Sequence, residues 1–103
     1  MDKKVVKLNS LLQEVKALID EINENEETTN FSIIRAEVTY NNKFPQVQLY
    51  SGISQFPVPT TSIIREWEDG GDFVEDYLYI GDVRYYEVDA EKKEAGKRAE
   101  MAV

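Results

Sequence analysis

The chain of 103 residues, 42% hydrophobic and 11% aromatic, has the length of one domain and enough apolar residues for one core, which excludes disorder throughout. It contains neither Cys nor His, which excludes thiolate or imidazole zinc sites, cysteine nucleophiles, His-based triads and disulfides. The net charge of −8 argues against direct nucleic-acid binding, because that binding depends on Lys and Arg side chains that neutralise phosphates.

Residues 3–26 are predicted to form a long amphipathic helix. Apolar side chains recur there at alternating steps of three and four, the spacing of one helix face: Val5, Leu8, Leu12, Val15, Ile19 and Ile22. Leu11 and Leu18 widen this stripe on one side. The stripe has two interpretations, and both can hold if one flank of the helix packs on the sheet and the other flank pairs with a second helix. Either it packs on the sheet of its own domain, or it forms the seam of a coiled-coil homodimer about three heptads long. In the second case we expect an oligomer interface built from Leu8, Leu12, Val15, Ile19 and Ile22.

Alternating apolar and polar residues predict five strands. Their expected ranges are 31–40, 45–51, 61–68, 72–80 and 83–88, with a short helix over 73–80 as the alternative to the fourth strand. The face of the first strand that is expected to be buried carries Ile34, Ala36, Val38 and Tyr40. In the second strand we expect Val47 and Leu49 to point inward.

Residues 52–61 contain two prolines and are predicted to be an extended loop, because proline has no N–H to donate to a strand ladder. Its apolar residues Ile53, Phe56 and Val58 are expected to reach the core, with an exposed binding loop as the alternative. Asp89 is a suitable N-cap for a last helix over 90–102, which we expect to be partly frayed.

This element order predicts an α+β fold in a single domain over residues 1–103. A long N-terminal amphipathic helix packs on a twisted antiparallel sheet of about four to five strands, followed by a short C-terminal helix. A meander is the simplest topology.

No apolar run approaches the roughly 18 residues of a membrane span, so we expect a cytoplasmic protein that does not bind membranes.

The acidity of the chain is concentrated in one region. Residues 66–91 contain ten acidic residues and one basic residue, Arg84, which makes a net charge of −9, whereas the rest of the chain carries +1.

A calcium loop is not expected in this region, because Gly70-Gly71 interrupts the ligand spacing of an EF-hand. An enzyme is not expected either, because nothing marks one carboxylate as buried in a cleft. We therefore expect no catalytic residues, metal or cofactor.

The aromatic residues among these acids favour a protein interface, because Tyr and Trp provide a large contact area at low entropic cost. The alternative is a solvated face that only keeps the protein soluble. The expected partner-binding residues are Glu66, Trp67, Glu68, Asp69, Asp72, Glu75, Asp76, Tyr77 and Tyr79. An acidic field favours a basic protein partner, such as a nuclease or another nucleic-acid-handling enzyme.

In length, charge and lack of cysteine the chain resembles phage-encoded inhibitors of host defence, including anti-CRISPR proteins and DNA mimics. This compositional resemblance implies a non-enzymatic inhibitor that acts in the host cytoplasm. The alternative expectation is a structural or assembly protein that oligomerises through its N-terminal helix.

Overall fold

A computed structural model of the protein describes residues 1–89 and confirms the α+β class. The helices are α1 (Lys3–Glu24) and the single-turn α2 (Glu26–Thr29). The strands are β1 (Ser32–Glu37), β2 (Gln46–Ser51), β3 (Thr61–Glu66), β4 (Asp72–Ile80) and β5 (Val83–Asp89). A 3₁₀ turn, Ile53–Gln55, lies between β2 and β3. The last helix expected at 90–102 lies outside the described residues.

Helix α1 begins after Asp2, whose carboxylate accepts a hydrogen bond from the backbone N–H of Lys4 at 2.7 Å. This cap satisfies one of the unpaired N–H groups of the first helical turn. The helix packs on the five-stranded sheet through its last turns, where Ile19 and Ile22 are partly buried and the chain contacts β1. No residue of α1 is fully buried, so most of the helix extends away from the sheet.

The strands are ordered β1-β2-β5-β4-β3, and all neighbours are antiparallel except β2 and β5, which are parallel. The predicted meander is therefore wrong, because β5 lies between β2 and β4. Side-chain burial explains the order. Strand β5 carries Tyr85 in the core and the buried Tyr86 on the other face, so it suits a central position. Nearly every side chain of β3 is exposed, which suits a sheet edge.

The core lies on one face of the sheet and is centred on Leu49, Ile53 and Leu78. Partly buried side chains surround these three: Phe31, Ile33, Val47, Phe56, Val58 and Tyr85. The loop after β2 thus covers this face, and the prediction that its apolar residues reach the core is confirmed. Gly52 makes the turn into the loop with φ of +104°, and a Cβ there would lie 2.5 Å from Cδ2 of Phe31. Only glycine suits both the backbone and the space.

The predicted buried face of β1 is wrong. Ile34, Val38 and Tyr40 are exposed, whereas Ser32 is buried and Ile33 packs against the core. The pairing of β1 with β2 is irregular between Ser32 and Arg35, and the strand ends at Glu37. Since side chains alternate along a strand, an irregularity of this kind moves the following residues to the opposite face. In β2 the prediction is confirmed, because Leu49 is buried and Val47 packs against it.

Candidate interaction surfaces

The tip of the β3–β4 hairpin gathers an aromatic ring and three exposed carboxylates. We call the set Glu66, Trp67, Glu68 and Asp69 the hairpin tip. Trp67 is 47% exposed and stacks on the buried Phe73, with ring centroids 4.2 Å apart. These five side chains line one open surface hollow. The hairpin tip therefore presents an apolar ring surrounded by negative charge.

The turn itself holds the indole of Trp67 in place. Gly70 has φ of +98°, and its N–H donates to the carbonyl oxygen of Trp67 at 3.1 Å. A Cβ at Gly71 would lie 3.0 Å from Cδ1 of Trp67, so the missing side chain gives the ring its space. The two glycines thus have different roles. One supplies a backbone conformation and the other makes room for a side chain.

Glu75 lies near the middle of β4, two positions beyond Phe73, and its side chain is only 7% exposed. Its Oε2 accepts hydrogen bonds from Nε of Arg65 at 2.8 Å and from a terminal nitrogen of Arg84 at 2.9 Å. Burial alone would raise the pKa of the Glu75 carboxyl, but the bonds from Arg65 and Arg84 and their positive charges lower it below its ordinary value. The negative charge of Glu75 is therefore balanced within the sheet.

Asp76 is also buried, and it points to the opposite face of β4 from Glu75. The hydroxyl of Ser62, its partner across β3 and β4, donates a hydrogen bond to its carboxylate. Asp72, at the start of β4, is half-buried and pairs in register with Glu66. Of the six acids expected to face a partner, the structure places three at the exposed hairpin tip, one beside it and two inside the sheet.

The two tyrosines of the expected site lie in the second half of β4, farther from Trp67 than Phe73 is. The guanidinium of Arg84 lies 4.6 Å from the ring centroid of Tyr77 and 5.1 Å from that of Tyr86. Tyr79 remains 41% exposed and packs edge-on against Phe44. Tyr79 is six positions beyond Phe73, which is about 20 Å along a strand. Tyr79 therefore lies away from the hairpin tip, and Tyr77 lies between them along the strand.

Helix α1 carries a long row of exposed apolar side chains. Six of its side chains form what we call the exposed stripe, and each is 40–56% exposed: Val5, Leu8, Leu11, Leu12, Val15 and Leu18. Ile19 and Ile22, which were expected in the same interface, are partly buried where the helix meets the sheet. The structure thus divides the predicted stripe. Its last two residues are partly buried near the end of the helix that contacts β1, and the earlier ones, together with Leu11 and Leu18, are exposed.

Sequence reasoning missed the basic residues that neutralise Glu75. Arg65 is on β3 and Arg84 is on β5, so only strand pairing brings them to Glu75 on β4. Within residues 1–89, no helix is long and apolar enough to cross a membrane, and no group of three acidic side chains could hold a metal ion.

No protein-family model, no curated protein and no solved structure matches the chain. A function therefore has to be inferred from the surfaces of the molecule itself.

Proposed function

We propose that this protein is a non-enzymatic assembly protein that self-associates through α1. One observation carries the proposal: six apolar side chains form a continuous stripe on a 22-residue helix in which no residue is buried. Soluble monomers rarely leave an apolar surface of this extent in water, and larger patches usually mark an interaction site. A helix face of this kind is commonly covered by another helix.

The size of the stripe sets the strength we expect. Full burial of one such side chain stabilises by about 1.5–3 kcal/mol, so covering the exposed half contributes roughly 1 kcal/mol. Six side chains on each of two copies contribute on the order of 10 kcal/mol, against an association cost of roughly 4–15 kcal/mol. At the lower end of that cost the net is about −6 kcal/mol, so we expect a weak dimer with a Kd of roughly tens of micromolar.

Sedimentation equilibrium tests this proposal over concentrations from about 1 µM to several hundred micromolar, the range that brackets the expected Kd. The wild-type chain should shift from monomer to dimer, and Leu8→Glu with Leu12→Glu should remain monomeric. The matched control is Ser10→Glu with Gln13→Glu, which adds the same charge on the opposite side of α1. The control should dimerise like the wild type. A wild-type chain that is monomeric at every concentration would contradict the proposal.

A second candidate function has its own observation. The hairpin tip surrounds the half-exposed ring of Trp67 with Glu66, Glu68 and Asp69, a combination suited to a basic protein surface. In this interpretation the protein is an inhibitor that occupies the basic surface of a nucleic-acid-handling enzyme. Carboxylates supply the attraction and the indole supplies an apolar anchor.

A binding titration separates this candidate from a surface that only aids solubility. The probe is a fluorescent peptide rich in Lys and Arg, titrated at low and at high salt. Glu66→Lys with Glu68→Lys and Asp69→Lys should abolish binding, because the reversed charges repel the basic peptide. The three side chains are exposed, so their replacement should leave the sheet intact. The control reverses the same number of charges at the helix end: Glu24→Lys, Glu26→Lys and Glu27→Lys. If both variants weaken binding equally, only net charge matters and the candidate fails.

A further inference from the structure

The charges along α1 run against the dipole of the helix. Lys3, Lys4 and Lys7 lie in its first two turns, and Glu21 and Glu24 lie in its last turn. No acidic residue occupies the first turn and no basic residue the last. A helix is stabilised by the opposite arrangement, because its N-terminus carries partial positive charge and its C-terminus partial negative charge. The order of charges on α1 is therefore unfavourable within one isolated helix.

Four of the charged residues follow one flank of the exposed stripe. Steps of seven residues return a helix to nearly the same direction, so Lys7, Glu14 and Glu21 are aligned, with Lys3 one turn before Lys7. This row lies on the side of the stripe that carries Leu11 and Leu18. It is basic in the first half of the helix and acidic in the second half. Charges that flank an apolar seam set the orientation of paired helices.

We propose that the stripe is covered by α1 of a second copy in antiparallel orientation, with the two-fold axis beside Leu11 and Leu12. This inference rests on the proposed self-association. In this arrangement Lys3 and Lys7 of one copy lie across from Glu21 and Glu14 of the other. The stripe from Val5 to Leu18 and the charged row share nearly the same midpoint. One axis therefore aligns the apolar residues and the opposite charges together.

A parallel pair would also align the two apolar stripes, but it would not bring the opposite charges together. It would place the lysines of both copies together at one end and the acids of both copies together at the other. The two sheets, each with ten of the twenty acidic residues of its chain, would also lie side by side. The antiparallel pair places the sheets at opposite ends and pairs each basic helix start with an acidic helix end. The self-complementary charge order thus selects a second copy of this chain as the occupant.

Crosslinking between single cysteines tests the orientation, because the natural chain contains no Cys. Val5→Cys and Leu18→Cys variants are mixed in equal amounts and treated with a short bismaleimide. Helix axes in a pair lie about 8–10 Å apart, so a short linker reaches across more readily than a disulfide. Intact mass then distinguishes the mixed product from the two homodimers. Leu12→Cys, close to the proposed axis, should crosslink to itself and reports self-association in either orientation.

We expect the mixed Val5→Cys and Leu18→Cys product to exceed either homodimer several-fold. Predominant homodimers would show a parallel pair, and a statistical mixture would show no preferred orientation. Either result overturns the antiparallel inference and leaves self-association standing. A Leu12→Cys variant that does not crosslink, together with a wild-type monomer in sedimentation, overturns both proposals.

Discussion

The side-chain amide of Asn23 pairs with both backbone polar groups of Ile33. Its Nδ2 donates to the Ile33 carbonyl oxygen at 2.8 Å, and its Oδ1 accepts from the Ile33 N–H at 2.8 Å. Strand β1 lies at the edge of the sheet, where such groups lack a neighbouring strand. Asn23 takes the place of that strand and joins the end of α1 to the sheet.

Asn23→Ala is expected to lower the free energy of unfolding by about 1–3 kcal/mol, because it leaves a part-buried N–H and a part-buried carbonyl of Ile33 without their partners. Urea unfolding followed by circular dichroism measures the change. Asn9→Ala is the matched control, since Asn9 is exposed on the same helix. An equal effect of both substitutions would show that helix propensity, and not the pairing with Ile33, is responsible.

Leu12→Glu and Ile19→Glu are expected to act differently, although the heptad pattern treats the two positions alike. Leu12 is 55% exposed, so its replacement should abolish self-association and change the unfolding free energy of the monomer by less than about 0.5 kcal/mol. Ile19 is partly buried where α1 meets the sheet, so its replacement should also destabilise the fold. Sedimentation and urea unfolding of both variants check this. Equal stabilities would show that the contact of Ile19 with the sheet contributes little.

Glu75→Gln is expected to destabilise the fold at neutral pH by about 2–3 kcal/mol, because it leaves Arg84, whose side chain is 13% exposed, without its carboxylate. The pKa of Glu75 is lower in the folded than in the unfolded chain, so the carboxylate stabilises the fold fully above the ordinary glutamate pKa of about 4.3. That contribution is lost as the pH falls through the lowered folded-state pKa.

Unfolding curves of wild type and Glu75→Gln, measured from neutral pH down to acid, should therefore converge at low pH. Glu68→Gln, on the exposed hairpin tip, serves as the control and should change the stability by less than about 0.5 kcal/mol. A difference between wild type and Glu75→Gln that does not depend on pH would contradict a stabilising role for the ionised carboxylate.

Gly71→Ala and Gly70→Ala should separate two properties of the hairpin tip. The new Cβ at position 71 would press on Trp67, so the fluorescence of this single tryptophan should shift to longer wavelength as the ring loses contact with Phe73. Gly70→Ala meets no neighbouring atom but forces a side chain into positive φ. It should cost about 1–2 kcal/mol of stability and leave the emission unchanged. A spectral shift in the second variant alone would contradict the assigned roles.

Local patterns were enough to predict the elements of this protein. The three-and-four spacing predicted α1, alternation predicted five strands, and the proline-rich loop was expected to turn its apolar residues inward. Strand order was not predictable in this way. The parallel pairing of β2 and β5 joins residues such as Val47 and Tyr85, which are far apart in sequence, and no short pattern specifies that neighbour.

By itself the sequence determined the class of fold, the concentration of acid after residue 66 and the apolar stripe on α1, because each follows from neighbouring residues. Tertiary structure decided which of these features face water. Glu68 and Glu75 look alike in an acidic segment, yet only Glu75 lies between Arg65 and Arg84. Leu12 and Ile19 occupy equivalent positions in the stripe, yet only Ile19 lies where the helix meets the sheet. Burial depends on which distant strand or helix arrives at a side chain, and that is a property of the packed chain.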